Sequence, residues 1–365
     1  SMKSNNPTPP DSNPPCSALM ARALQLAQGA LYHTSPNPRV GCIIVDASGK
    51  ILGKGQTQAV GLAHAEVMAL RDAVAKGHST QGATAYVTLE PCSHHGRTGP
   101  CCDALIQAGI TRVVASTQDP NPLVAGQGFQ RLRQAGVDVI VGDGAAQSRE
   151  LNIGFFSRMQ RKRPWMRMKM AISLDGQTGL ENGQSQWITS EAARTDGHAW
   201  RARACAILTG AGTVVQDNPL LDVRLVPTQR QPSAILIDSR LDCDVDSRFF
   251  NVPRPYHVFF ANASLEKQKI WQAKAKKMSH EWQFQSIADK NHKVNLELML
   301  EHLSQLELNE IHVEAGHKLN GSLLRHGLID ELLIYMAPKL IGKGQPLANL
   351  PALENLSDAT PLVFH

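Results

Sequence analysis

The sequence predicts two consecutive α/β domains, and three observations point there. The 365 residues suffice for two ordinary domains. In both halves, apolar runs of strand length alternate with stretches whose apolar residues recur at helical spacing. Between the halves lies a basic stretch over 158–164 (RMQRKRP) that ends in proline and reads as a solvated linker. The expected organisation is a tail over 1–15, a first domain over 16–157, the linker over 158–164 and a second domain over 165–365.

The tail carries Pro7, Pro9, Pro10, Pro14 and Pro15 among Ser and Asn, a composition that predicts disorder. Ser1-Met2 reads as a cloning remnant. Ser17 caps a helix in which Leu19, Ala23, Leu24 and Ala27 are spaced for one face. Pro36-Asn37-Pro38 turns the chain into a strand over 40–45, and a hairpin turn at 46–49 returns it over 51–55. A helix from His64 to about Lys76 follows, then a strand over 84–89, a helix over 101–108 and a strand over 112–115. A helix over 129–135, a strand over 137–141 and a helix to about Phe156 close the unit. Such alternation implies a largely parallel, helix-covered sheet.

The second half opens on a strand over 165–173. A helix over 190–204 leads to strands over 206–209, 234–238 and 257–260. Helices over 265–277 and 296–306, a strand over 311–314, a helix over 319–326 and a strand over 332–336 complete it. Leu362-Val363-Phe364 reads as a strand cut short, with a further element expected beyond it.

Composition narrows the class. An apolar fraction of 42% with 19% charged residues fits a globular chain. The best apolar run, over 40–45, is strand-sized, and no basic region leads into an apolar one, so neither a membrane span nor a secretory signal is expected. The net charge of +5 is spread out, with no Lys/Arg stripe interleaved with aromatics. That argues against nucleic acid and suits a small anionic substrate equally well. Seven cysteines are an odd count without paired spacing, which disfavours a disulfide framework. Cys92, Cys101 and Cys102 crowd into one stretch, which favours metal binding.

The sharpest signal is His64-Ala65-Glu66 followed by Pro91-Cys92 and Cys101, which matches the H-x-E…P-C pattern of zinc-dependent deaminases. One imidazole and two thiolates hold zinc tetrahedrally and leave a fourth position for water, whose pKa the ion lowers toward about 7. A carboxylate beside that water must carry a proton from it to departing ammonia, and Glu66 is that carboxylate. His64 and Glu66 would point apart in mid-helix, so they converge only if His64 stands at the helix start. Eight residues separate Cys92 from Cys101. Since Cys102 is adjacent, spacing alone does not choose between Cys101 and Cys102. A closed structural zinc site would need a fourth ligand such as His94 or His95.

Here the motifs reach a family. Asn37 in PNPRVG, His64-Ala65-Glu66 and TLEPCSHHGRTGPCCDALI (88–106) resemble the deaminase domain of bifunctional riboflavin-biosynthesis enzymes. ISLDGQTG (172–179), SQWITS (185–190), TVVQDNPLLDVR (213–224), VEAGHKLNGSLL (313–324) and APKLIG (337–342) resemble their reductase half, in the same order. The likeness runs from about Leu19 to the C-terminus. It implies a cytidine-deaminase-like α/β/α domain and a dihydrofolate-reductase-like α/β domain. The implied reactions are zinc-dependent deamination of a 2,5-diamino-6-ribosylamino-pyrimidinone 5′-phosphate, then reduction of its ribosyl chain to ribityl with NADPH. It implies His64, Cys92 and Cys101 as zinc ligands, Glu66 as proton shuttle, and Asn37, His94 and Arg97 as substrate contacts. One residue departs from the pattern: Thr57 stands seven positions before His64, where such enzymes more often have histidine.

In the reductase half the resemblance implies cofactor contacts at Ala171, Trp187, Thr213, Asp217, Ser239 and the run Gly316, His317, Lys318, Leu319, Asn320, Gly321 and Ser322. Ser185, Arg201, Leu221, Arg224 and Glu314 are implied for the ribotide. The residues agree in part, because the 316–321 stretch follows a strand and opens a helix, where backbone N–H groups cradle phosphate. Gly210-Ala211-Gly212 also follows a strand, but a glycine-rich turn explains it equally well. Asp175 reads as a turn residue. The expected partners are a small pyrimidine ribotide and further copies of the chain, in the cytoplasm, with neither nucleic acid nor membrane. The rivals are a nucleic-acid base deaminase, which would need a basic and aromatic strand-binding groove, and a non-catalytic zinc-stabilised interaction protein.

Overall fold

The computed structural model describes residues 16–32, 35–94, 99–185 and 190–365, so the proline-rich tail, Arg97 and Trp187 lie outside the described residues. The chain forms two compact units. One comprises residues up to Trp165 with Thr228–Arg230 and Leu303–Glu310; the other comprises Met166–Pro227, Gln231–His302 and Ile311–His365.

The first unit begins with α1 (Ala18–Gly29), whose start is capped by Ser17 Oγ accepting from Met20 N. A hairpin of β1 (Gly41–Val45) and β2 (Ile51–Gln56) follows, then α2 (Ala65–Ala75) and β3 (Thr84–Val87). Next come α3 (Cys101–Gln107), β4 (Arg112–Ala115), α4 (Gln127–Gln134), β5 (Asp138–Val141), α5 (Ala145–Leu151) and α6 (Ile153–Arg161). The sheet order is β2-β1-β3-β4-β5. β3, β4 and β5 pair parallel, whereas β1 pairs antiparallel with both β2 and β3. The sheet is therefore mixed, because the tight turn at 46–49 inserts β1 between two strands that the α2 crossover leaves parallel.

Close approach of α2 to β2 has a sequence cause. A Cβ at Gly55 would lie 2.5 Å from Ala65 O, and one at Gly53 would lie 2.3 Å from Ala69 O. Paired with the buried stripe Ala65, Ala69 and Ala73, these glycines let the helix backbone rest on the strand and fix where α2 begins. That start is His64.

The second unit contains β6 (Trp165–Ser173), β7 (Gln177–Leu180), α7 (Glu191–Arg203), β8 (Ala206–Gly210), α8 (Ala211–Asp217) and β9 (Ser233–Ile237). β10 (Tyr256–Phe260), α9 (Leu265–Lys277), β11 (Trp282–Ser286) and α10 (Leu296–Ser304) follow, then β12 (Glu310–Val313), α11 (His317–Arg325), β13 (Glu331–Ala337) and β14 (Gly344–Pro346). Seven strands form a sheet ordered β11-β10-β9-β8-β12-β6-β13, with β7 and β14 a separate antiparallel pair. β8 to β11 pair parallel in succession, as do β8 with β12 and β6 with β13. Phe249, Phe250, Tyr256, Trp271 and Trp282 interlock as one aromatic core beside β9 and β10.

Several expectations need correction. Residues Arg158–Arg161 complete α6 instead of forming a loop, because Ile153, Phe156 and Met159 give that segment an apolar face beneath its charges. Gly210 ends β8 and caps α8 at once, so the Gly-Ala-Gly stretch is a helix start, not a turn. Residues 359–365 form no strand, and Leu362, Val363 and Phe364 are exposed. Asp175 stands in a turn as expected, between β6 and β7, and its carboxylate also accepts from Ser173 Oγ and from Ile341 N and Gly342 N.

Candidate active sites

The two candidate sites belong to different units. In the first, His64 is the N-cap of α2 with extended backbone (φ −74°, ψ 166°), and Glu66 lies one residue inside the helix. This break in helical geometry lets both side chains face one cavity of about 440 Å³. Cys92 follows β3, and Cys101 opens α3. His64 Nδ1 is 3.3 Å from Cys101 Sγ and 3.7 Å from Cys92 Sγ, while Cys101 N donates to Cys92 Sγ at 3.3 Å. Bonds of about 2.3 Å to sulfur and about 2.0 Å to nitrogen at tetrahedral angles separate ligand atoms by roughly 3.5–3.8 Å. The two His64–sulfur separations lie close to that spacing, and all three ligand atoms are within 4.8 Å of one another, so the cluster fits zinc.

Cys102 points elsewhere. Its thiol donates to Pro91 O and Gly128 O in the core. Among the described residues no fourth His, Cys, Asp or Glu joins the cluster; His95, one of the two candidate fourth ligands, lies outside them. Glu66 is buried, and burial followed by the neighbouring Cys92 sulfur pushes its carboxyl up to about 7.

Asn37 and His94 line the same cavity; Arg97 lies outside the described residues. Thr57 lines it too, but its hydroxyl accepts from Val40 N at 2.9 Å and so serves the wall. Sequence reasoning missed Asp119 and Asn121, which reach the cavity from the turn after β4, and Phe155 and Met159 of α6. Asp119 and Asn121 follow the carboxyl end of a parallel strand, a position that favours ligand contact. Glu90 holds that turn: its carboxylate accepts from Asp119 N, Gly126 N and Gly128 N at 2.8–3.0 Å.

The second site is a cavity of about 1020 Å³ at the carboxyl ends of β8, β9 and β12. Strand order reverses between β8 and β12, and such a switch point leaves a crevice for ligands in open parallel sheets. Ala171, Ser185, Thr213, Asp217, Ser239, Glu314, Gly316 through Asn320 and Ser322 line it; Trp187 lies outside the described residues. Gly316 caps the nine-residue α11, and a Cβ there would meet nothing within 4 Å. The first N–H groups of α11 have no partner within the helix. Asn320 is buried with its Oδ1 bonded to no donor in the structure, an acceptor that a bound group can use. These features fit a dinucleotide. Gly321 has another reason to be glycine, since its Cβ would lie 2.2 Å from Asn349 O.

Arg201, Leu221 and Arg224 stand beside the cavity instead of in its wall. Arg201 grips Glu314 with two bonds of 2.7 and 2.9 Å, and His312 Nε2 lies 3.0 Å from the same carboxylate. Burial alone would raise Glu314, but Arg201 and Lys169 hold it well below the usual carboxylate range. Lys169, another wall residue missed from sequence, therefore faces a fixed anion. Leu221 buries its side chain in the aromatic core and presents only backbone, at φ +51°.

The 220–225 segment has no regular structure, and four side chains clamp it. Arg254 donates to the carbonyls of Leu220 and Leu221, and Arg201 donates to that of Asp222. Gln231 bonds both backbone groups of Val223, and His198 Nδ1 accepts from Arg224 N and Leu225 N. Burial, then Arg201 and Arg224, push His198 down to about 4, which keeps it a neutral acceptor. Sequence gave no hint of His198.

Comparisons with known proteins agree with this division. The family described as cytidine and deoxycytidylate deaminase zinc-binding region matches residues 15–117, and the RibD C-terminal domain family matches residues 164–361. The chain is 47% identical to the riboflavin biosynthesis protein RibD of Escherichia coli over 94% of each chain. It is 40% identical to that of Aquifex aeolicus over 91% of this chain and 89% of the relative. Among solved structures, Acinetobacter baumannii RibD aligns with a TM-score of 0.81 at 37% identity, covering 93% of this chain and 92% of that one. A Thermotoga maritima diaminohydroxyphosphoribosylaminopyrimidine deaminase/5-amino-6-(5-phosphoribosylamino)uracil reductase gives 0.81 at 32%, covering 94% and 92%.

Proposed function

The chain belongs to the RibD family of bifunctional riboflavin-biosynthesis enzymes, and from that premise we propose that each unit carries one of its two reactions at the cavity described above. The protein is a zinc-dependent deaminase and a reductase. The observation that carries the assignment is the convergence of His64, Cys92 and Cys101 beside buried Glu66.

In the deaminase unit, His64, Cys92 and Cys101 would hold zinc, which when bound would supply an activated water. Glu66, buried beside them, would carry a proton to the departing amino group of the 2,5-diamino-6-ribosylamino-pyrimidinone 5′-phosphate. Asn37, His94 and Arg97 orient the ring. In the reductase unit, NADPH supplies the hydride. Ala171, Trp187, Thr213, Asp217, Ser239 and the 316–322 run would hold it, the N–H groups at the start of α11 being suited to its phosphates. Glu314, Arg224, Arg201, Ser185 and the Leu221 backbone hold the ribotide. The sugar C1′, electrophilic once the ribose ring has opened to an imine, would be the carbon reduced. Asp217, exposed at the end of α8 with its carboxyl raised by desolvation, lies on the cofactor side.

We place the deaminase domain from residue 16 to the end of α6 at Arg161, past the expected 157, and the reductase domain at 165–365; the RibD C-terminal match beginning at residue 164 supports the start of the second. A cytoplasmic setting suits phosphorylated intermediates and NADPH, and no helix among the described residues is long and apolar enough to cross a membrane. A homo-oligomer is supported by exposed Leu340, Leu356 and Phe364, and sedimentation velocity checks it. Mass analysis of products from the diaminopyrimidinone ribotide, with and without NADPH, tests the function. Without NADPH an amino group should become an oxo group, and with it the product should also gain a hydride and a proton. An unchanged substrate under both conditions would contradict the reading.

A further inference from the structure

The segment 36–40 supplies Asn37 and Pro38 to the wall of the deaminase cavity, yet it belongs to no helix or strand. Backbone polar groups in such a segment need partners from elsewhere, and here they come from two distant places. Pro36 O accepts from Arg158 Nη2 of α6 and from Asn309 Nδ2, both at 3.0 Å. Asn152, just before α6, holds the other side of Asn37. Its Oδ1 accepts from Arg39 N at 2.8 Å, and its Nδ2 donates to Arg39 O at 2.9 Å. The Arg39 guanidinium donates to the carbonyls of Leu31 and Leu151 and reaches Glu310 Oε2 at 3.3 Å.

Asn309 stands in the bend between α10 and β12. Its Oδ1 accepts from Arg158 Nε at 2.6 Å, and its backbone O accepts from Trp165 N at 2.8 Å. Arg158 therefore holds Pro36 O directly and also orients the Asn309 amide, the second donor to the same oxygen. The same guanidinium lies 5.7 Å from the centre of the Phe155 ring, another part of the cavity wall. The bend rests on α6 with no room for a side chain, since a Cβ at Gly154 would lie 2.5 Å from Asn309 O. Asn309 and Glu310 are buried, and they belong to the first unit although the RibD C-terminal family model spans them. Their place in the sequence puts them in the reductase half; their hydrogen bonds serve the deaminase wall.

We infer that Asn309, set by Arg158, is a positioning residue for deamination: it fixes the peptide that carries Asn37 and so holds that side chain where the substrate binds. The inference rests on the reading of Asn37 as a substrate contact. Pro36 C=O and Asn37 N share one rigid peptide plane, so two donors on that oxygen hold the plane in one orientation. A contact residue held in this way is already in place when substrate arrives, and misplacing such a group by about 1 Å costs on the order of 10²-fold in rate.

The test is a double-mutant cycle in the full chain: wild type, Asn309→Ala, Asn37→Ala and the two combined, with ammonia release measured against ribotide concentration. Asn309→Ala should lower deaminase kcat/KM by about 10- to 100-fold. In the Asn37→Ala background the same substitution should cost less than about twofold, because the residue it acts through is gone. Bound zinc and reduction of predeaminated ribotide by Asn309→Ala should stay within about twofold of wild type, which separates positioning from loss of fold. If alanine unfolds the bend, Asn309→Asp decides: it keeps the acceptor for Arg158, removes the donor to Pro36 and should give the same pattern. No loss of deamination, an equal loss in both backgrounds, or a parallel loss of reduction overturns the positioning role. A wild-type rate from Asn37→Ala alone overturns the substrate-contact reading, so the two failures are distinguishable.

Discussion

At His64 the backbone is still extended, and at Ala65 it is helical. That single change of torsion lets an imidazole and a carboxylate two residues apart share one site. The requirement was readable in the sequence, since no other placement of H-A-E on a helix brings the two together. The choice between Cys101 and Cys102 was not readable, because it depends on which way the first turn of α3 faces. Metal analysis checks it: Cys101→Ala should lose zinc and Cys102→Ala should retain it. Glu66→Gln should also retain zinc and fold, yet lower deamination by about 10²- to 10⁴-fold, the usual contribution of a positioned proton carrier. Steady-state ammonia release against bound zinc measures both quantities on one sample.

Among the elements, those with a clear run or helical spacing of apolar residues were legible, as with α1, β1 and β8. Those hidden in the sequence were short or disguised. β7 and β14 are brief and polar, and α6 carries its apolar face under three arginine and glutamine side chains at its end. The contact of α2 with β2 should be intolerant of side chains. Gly55→Val should destabilise the first unit by about 1–3 kcal/mol, as overpacking does, and should weaken zinc binding by displacing His64. Thermal melts and zinc titration measure the two effects.

The clamp on 220–225 has its own signature. His198 is neutral in the fold with a pKa near 4, below its ordinary value of 6.5. Between about 6.5 and about 4 the unfolded chain binds the extra proton, so His198 costs stability as pH falls through that window and nothing above it. Glutamine offers an acceptor that does not titrate. The stability of wild type relative to His198→Gln should therefore fall as pH drops from 6.5 to 4, while other titrating groups cancel. A constant difference across that range would contradict the clamp. His198→Leu, which removes the acceptor, should raise the KM for the ribotide more than it lowers kcat.

For the whole molecule, two units that each hold one candidate site account for two successive reactions in one chain. The order of motifs was legible from residue 19 onward, but the reductase site was not assembled by it. Arg201 and Glu314 lie 113 residues apart and meet only through the sheet order that places β12 beside β8. The loop bearing Arg224 similarly owes its shape to side chains from three other segments. The most direct test of one site per reaction uses Glu66→Gln and Glu314→Gln, separately and mixed, on the diaminopyrimidinone ribotide with NADPH, with products identified by mass. Glu66→Gln alone should leave the substrate aminated yet reduce predeaminated ribotide, Glu314→Gln alone should stop at the deaminated ribosyl compound, and the mixture should yield the deaminated ribityl product. If Glu66→Gln also failed to reduce predeaminated ribotide, or the mixture gave no ribityl product, the assignment of one reaction to each cavity would be contradicted.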